Sequence, residues 1–371
     1  MTPSFLPFLR LAMDDLRRVR GDVADADLHL QEGIRWLCRA QDASPDDGVS
    51  YGFSIRGGWR PSYVETTGYI ACTFFRLARE LGDEAFRARA LRMVRWLCSV
   101  QNADGSFSNP SYRPGQGIVF DTGQDLFGLV RAFEETGETG FLDAACRAGD
   151  WLVRVADEEG RWTRSTFRDV PHVYNARTAW ALLRLHRVRP EDDRARVAAA
   201  NLDWAVSQQR DGWFDQVAFR PGEAAFTHTI AYAIRGLWES GVIADSEAWR
   251  SSAIRGADAV LTHLRDDGWL PGRIDVRGRP TPDFCCLTGN VQMAIIWAKL
   301  HRATGREDFR AAACAATRFV MRHQHLGAAD ARIRGAVPGS SPIWGPYSPF
   351  TFPNWATKFL VDALLETRSW L

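Results

Sequence analysis

Pro61-Ser62-Tyr63-Val64-Glu65-Thr66-Thr67-Gly68-Tyr69 is a short polar cluster that runs straight into an apolar stretch ending at Leu81. Five later segments have the same form: Asp121-Thr122-Gly123-Gln124, Tyr174-Asn175-Ala176-Arg177, Thr227-His228-Thr229, Thr288-Gly289-Asn290 and Asn354-Trp355. The starts recur roughly every 53 to 66 residues, and a fixed period of that size marks a repeat architecture. Between them lie six other helical segments, predicted over about 28–42, 83–101, 139–156, 190–209, 246–265 and 306–325.

The two sets differ in patterning. The polar-start helices are apolar almost all round, which marks burial between layers; their partners, such as Phe86–Val100, carry an Arg-rich face and one apolar stripe. Six buried and six amphipathic helices in strict alternation close most simply into an all-α (α/α)6 barrel, a toroid of six helical hairpins. We expect one such domain over 28–371, with an extra lead-in helix in 1–27. Sustained period-two alternation is lacking, so no sheet domain is expected.

Repeated punctuation supports the hairpins. Trp96, Trp151 and Trp204 each precede an Asp/Glu-Gly by about eight residues, and Gly82, Gly137, Gly241 and Gly305 follow the last turns of buried helices. The connections entering the polar-start helices are long, about 13 to 28 residues, and rich in aromatics, Arg, Gly and Pro. Loops of that kind collected on one side of a scaffold are where binding residues gather.

Composition narrows the setting. The 371 residues are 46% hydrophobic and 25% charged with a net charge of +1, which points to a globular protein without a nucleic-acid or membrane partner. Seven cysteines, mostly within helical patterns, fit free thiols in a reducing compartment, so a cytoplasmic location is expected. No apolar run reaches the roughly 18 residues that span a bilayer.

Parallel inner helices bring six N-termini to one rim, where positive dipole ends favour an anion. For Thr227, Thr288 and Asp121, N-capping is the competing reading. All seven tyrosines fall in the long loops or the first turns of buried helices. The expected catalytic residues are His228, Tyr232, Tyr174, Glu65 and Asp121. His228 and Tyr232, four apart, share one helix face as an acid/base pair, with Tyr174 as another proton carrier. Glu65 and Asp121 hold equivalent positions on successive helices and form the carboxyl pair that glycoside hydrolysis needs. Substrate contacts are expected from Trp59, Tyr63, Tyr69, Gln124, His172, Asn175, Trp213, Asn290, Trp344, Tyr347 and Asn354, with Arg177, Arg273 and Arg334 holding a substrate carboxylate. Asp283, Cys285 and Cys286 invite a zinc reading, but a third ligand from the last buried helix is missing, so no metal or other cofactor is expected.

Gln101-Asn102-Ala103-Asp104-Gly105-Ser106-Phe107 and Gln209-Arg210-Asp211-Gly212-Trp213-Phe214 resemble the Gln–Gly–Trp repeats of triterpene cyclases and protein prenyltransferase β-subunits. That resemblance implies an α/α toroid. The Asp-x-Asp-Asp motif of the cyclases is lacking, and Asp283 and Cys285 look like the Asp-x-Cys pair of the transferases without the matching His. The chain also resembles, over nearly its whole length, bacterial and archaeal α/α-toroid proteins associated with surface-polysaccharide loci. The segments carrying this are 61–69, Thr227-His228-Thr229-Ile230-Ala231-Tyr232, Cys286-Leu287-Thr288-Gly289-Asn290 and Pro342-Ile343-Trp344-Gly345. The fold so implied is shared with six-hairpin glycosidases, lyases and epimerases. The function expected is a carbohydrate-active enzyme on an acidic, uronate-containing oligo- or polysaccharide, acting by C5-proton chemistry or by hydrolysis. A terpene cyclase-like enzyme with an aromatic cavity and a non-catalytic glycan-binding scaffold are the alternatives.

Overall fold

The computed structural model describes residues 8, 9, 11–13, 15, 23, 25–109 and 111–371, so the expected lead-in helix lies largely outside the described residues. Twelve α-helices follow in six hairpins. Outer helices are α1 (Ala26–Asp42), α3 (Glu84–Val100), α5 (Thr139–Val155), α7 (Asp192–Ser207), α9 (Glu247–Leu261) and α11 (Glu307–His323). Inner helices are α2 (Val64–Leu81), α4 (Val119–Thr136), α6 (Ala176–Val188), α8 (Thr227–Ile243), α10 (Leu287–Thr304) and α12 (Asn354–Thr367). Each inner helix packs on the next, and α12 returns to α2, which closes the (α/α)6 barrel. Strands are confined to pieces of two or three residues in the loops.

Burial follows the patterning. In α3 only Ala90, Met93, Val94 and Leu97 are buried, one stripe at helical spacing. In α10 every residue from Leu287 to Ala298 is buried. Several outer helices start on side-chain caps: Asp25 accepts from the N–H of Asp27, Asp83 from that of Ala85, and Ser246 from that of Trp249.

The capping reading of the inner starts does not hold, because none of the six inner helices has a side-chain cap. Their polar residues pin loops instead. The hydroxyls of Thr67, Thr122 and Thr357 accept from the N–H groups of Val49, Phe107 and Val337 at 3.0–3.1 Å. Thr227 donates to the carbonyl of Pro271. The first N–H groups of α4, α8, α10 and α12 go to the carbonyls of Ser165, Gly272, Gly339 and Tyr51 in neighbouring loops. Those donors are therefore spent within the protein, which removes much of the ground for an anion at this rim.

A second device ties the outer ring. After each outer helix, a glycine meets the next outer helix so closely that a Cβ would collide. Gly48 abuts Trp96, Gly105 Arg147, Gly160 Ala200, Gly212 Ala259, Gly268 Ala315 and Gly335 Glu32. Gly105, Gly160 and Gly212, the glycines of the repeated Asp/Glu-Gly pairs, are thus turn residues with positive φ beyond the helix ends. The repeated glutamines work beside them: the amides of Gln41, Gln101, Gln209 and Gln324 donate to the carbonyls of Arg89, Ala144, Ser252 and His29 on the next outer helix. Gly82, Gly137 and Gly305 are left-handed caps as expected, whereas Gly241 lies inside α8 against Arg250. Ring closure is completed where Gly52–Ser54 pairs antiparallel with Thr351–Pro353.

Candidate active site

Glycines set the spacing of the inner ring. A Cβ on Gly68 would lie 2.5 Å from the Cα of Asp125, and one on Gly123 2.6 Å from the hydroxyl of Thr178. Gly236 meets Ala176, and Gly289 meets His228, at 2.5 and 2.6 Å. Backbones this close bring the side chains of adjacent first turns onto one wall.

That wall encloses a cavity of about 370 Å³ at the N-terminal mouth of the barrel. All five expected catalytic residues, Glu65, Asp121, Tyr174, His228 and Tyr232, line it. Six of the seven tyrosines do so too; Tyr69 sits one turn deeper and faces the opposite mouth. Phe120, Phe167, Phe219 and Trp355 complete an aromatic wall, with polar groups from Asn109, Thr229 and Ser348.

Glu65 and Asp121 are the carboxyls that line this cavity. The Tyr63 hydroxyl donates to Oε2 of Glu65 at 2.6 Å and accepts from Nδ2 of Asn109 at 3.2 Å. Burial pushes the Glu65 carboxyl up to about 7, against the Tyr63 hydrogen bond and the charge of Arg177, which hold it down. Asp121 is pushed well above the carboxylate range by burial and then by the Glu65 charge. Asp125, one turn below, is raised by burial and by both neighbours. Three carboxyls crowded on two helices cannot all be ionised. The one with a hydrogen-bond donor and a cation in reach, Glu65, loses its proton first, and Asp121 keeps its own.

His228 and Tyr232 lie edge to face with ring centroids 5.7 Å apart, and Tyr347 packs on His228 at 4.7 Å. Nδ1 of His228 is 3.7 Å from Sγ of Cys286. Burial lowers His228 to about 3 and raises Tyr232, so near neutral pH the imidazole is uncharged and the phenol protonated.

Other expected contacts lie off this wall. His172 is bonded to the carbonyls of Phe167 and Ala218 and stacks on Tyr174 at 4.6 Å, a support for that ring. Asn290 donates to the carbonyls of Gly268 and Ala316, and Asn354 to Ser50 and Thr66, so both hold the scaffold. Asn175 is buried at the start of α6. Trp59 packs against Trp36 and Phe53, Trp213 against His263, and Trp344 is exposed. Arg334 bonds the carbonyl of Ala328, and Arg273 lies over the ring of Phe226. Gln124 accepts from Nε of Arg177 at 2.5 Å, and Arg177 faces the opposite mouth. None of the three arginines expected to hold a carboxylate lines the cavity, and no other cation does. Asn109, Phe167 and Phe219 were not expected; they come from loops, where no periodicity marks a residue. Among the described residues no three His, Cys, Asp or Glu side chains gather as a metal site.

Comparison with solved structures places the fold. An unsaturated glucuronyl hydrolase from Bacillus sp. GL1, responsible for the degradation of glycosaminoglycan, superposes with a TM-score of 0.72 at 14% identity, covering 92% of this chain and 96% of that one. The cellobiose 2-epimerase of Bacillus thermoamylovorans gives 0.73 at 12% identity over 97% and 99%. The cellobiose 2-epimerase of Spirochaeta thermophila gives 0.68 at 14% over 99% and 98%. No protein-family model and no curated protein sequence matches the chain. At these identities the likeness establishes the (α/α)6 fold. No helix among the described residues is long and apolar enough to cross a membrane.

Proposed function

We propose that the chain is a carbohydrate-active enzyme that hydrolyses a glycosidic linkage with Glu65 and Asp121. The observation that carries this reading is the pair itself: two carboxyls on adjacent first turns, in an aromatic cavity, both raised by burial and Asp121 also by the Glu65 charge. Asp121 gives its proton to the glycosidic oxygen as the bond to the anomeric carbon breaks. Glu65, as the carboxylate, takes a proton from the attacking water, or attacks that carbon itself to form an ester that water then hydrolyses; the net change is one water added and one new reducing end. Tyrosine and tryptophan faces offer sugar rings a stacking surface, and their polar tips bind hydroxyls.

The wall suits an uncharged sugar at the point of cleavage better than a uronate. A uronate carboxylate beside the ionised Glu65 would meet no arginine or lysine on this wall. Epimerisation is the second reading, favoured by His228 and Tyr232 standing together in the same cavity. Their protonation weighs against it: a carbon acid needs a stronger base than an imidazole near 3. Incubation with neutral and uronate-containing glycans in deuterated water tests the proposal. Hydrolysis yields reducing ends without carbon-bound deuterium, epimerisation incorporates deuterium, and elimination produces ultraviolet absorbance. Glycan binding without turnover would support a scaffold.

A further inference from the structure

The barrel has a second mouth. Tyr69, Arg177, Tyr232 and Phe359 close the bore midway: Tyr69 and Phe359 are 5.6 Å apart by centroid, and the Arg177 guanidinium lies 5.2 Å from the ring of Tyr232. Below that floor, the later turns of the inner helices enclose a cavity of about 390 Å³ lined by eight cationic side chains against three carboxylates. Every inner helix contributes a cation: Arg76, Arg131, Arg184, Arg235, Lys299 and Lys358.

Much of that charge has an ordinary explanation. The C-terminal ends of six parallel helices favour cations, and Arg76, Arg131, Arg184 and Lys299 pair with Glu366, Glu135, Glu134 and Glu239. Arg177 does not fit that explanation. It is the second residue of α6, where the helix dipole disfavours a cation. It is 3% exposed, and its one hydrogen bond is to the neutral amide of Gln124. Its Nη1 has no partner, nor has Nη1 of Arg235. Arg177 and Arg235 flank the same Trp180 ring at 5.3 and 5.4 Å, and Arg177 and Lys358 flank the same Tyr69 ring at 5.8 and 4.8 Å. Three cations thus converge around two rings, with Glu239 and Asp362, which line the same cavity, engaged by Arg235 and Lys358. A buried, unneutralised cation with a free donor is costly unless something anionic reaches it.

We propose that this mouth binds a compact oxyanion, inorganic phosphate or the phosphoryl group of a small phosphorylated compound, between Arg177, Arg235 and Lys358. The guanidinium groups of Arg177 and Arg235 and the Lys358 ammonium, all lining the cavity, supply hydrogen bonds, and the rings of Tyr69, Phe127 and Trp180 keep the site narrow. The site lies on the far side of the floor from Glu65 and Asp121, so it stands or falls independently of the hydrolytic reading.

Inorganic phosphate and, separately, glucose 6-phosphate are titrated into the full chain at constant ionic strength, with sodium chloride as the compensating salt. Binding is followed by calorimetry and by the melting temperature. Saturable binding and a rise in melting temperature absent with chloride are expected. Similar affinity for the two probes assigns the free anion, and at least tenfold tighter binding of glucose 6-phosphate assigns a phosphorylated sugar. Arg235→Gln should weaken binding at least tenfold, whereas Glu65→Gln, which removes a negative charge within reach of Arg177, should not weaken it. Stabilisation that merely tracks ionic strength, or phosphate binding lost in Glu65→Gln, would overturn the proposal. The wild-type titration decides the matter even if Arg235→Gln fails to fold.

Discussion

Glu65→Gln should make the protein more stable, and only above mildly acidic pH. The Glu65 carboxyl is raised from 4.5 to about 7 in the fold, so the folded state holds its proton more tightly than the unfolded chain does. A raised carboxyl contributes no penalty below its unfolded value. The penalty grows as pH climbs from 4.5 to 7 and is complete above that. At about 1.4 kcal/mol per pH unit the full penalty is about 3 kcal/mol. Because the carboxyl faces an open cavity, solvent screening reduces that to about 2 kcal/mol. Glutamine keeps the shape and can still accept from Tyr63, but carries no charge to desolvate. Urea unfolding of both proteins at pH 4.5 and pH 8, followed by circular dichroism, should give equal midpoints at the lower pH and a later one for the variant at the higher pH. The denaturant slope should not change. Equal midpoints at both values, or a variant less stable at pH 8 than at pH 4.5 relative to wild type, would refute the reasoning. The test needs no substrate.

Three further outcomes follow from the same geometry. Tyr63→Phe removes the hydroxyl 2.6 Å from Glu65; a hydrogen bond to a charged group is worth about 1.5–3 kcal/mol, so the acid limb of the pH–rate profile should move up by about one to two pH units. Asp121→Asn should lower kcat by about 10²–10⁴, whereas His228→Gln, replacing an imidazole already neutral from pH 5 to 8, should cost less than tenfold and leave the pH profile in place. Gly68→Ala would put a methyl 2.5 Å from the Cα of Asp125, and urea unfolding should show a loss of about 3 kcal/mol or more.

The architecture was legible because it is periodic. Twelve helices, their inner and outer roles and the loop-rich mouth all follow from apolar spacing and from six polar starts. The lining of the candidate site was legible in part for the same reason: Glu65 and Asp121 stand out as equivalent positions, and tyrosines cluster where the loops are long. Polar residues at helix starts could not be sorted by type. Asn290 and Asn354 look as functional as Glu65, yet their amides are consumed by carbonyls of neighbouring segments. Depth was hidden too: Arg177 lies two residues after Asn175 at a rim start, but its long side chain carries the charge through the floor to the other mouth. The Thr-Gly pairs carry a packing signal beneath their polarity. Gly68, Gly123 and Gly289 are glycine because the inner helices touch there, and that contact sets Glu65 beside Asp121.

The central claim, that Glu65 and Asp121 form a hydrolytic pair, is tested most directly by glycan turnover in ¹⁸O-labelled, deuterated water. The account predicts new reducing ends carrying ¹⁸O at the anomeric position and no deuterium on carbon, with the signal lost in both Glu65→Gln and Asp121→Asn. Carbon-bound deuterium without new reducing ends, persisting in those two variants and lost in His228→Gln, would contradict it.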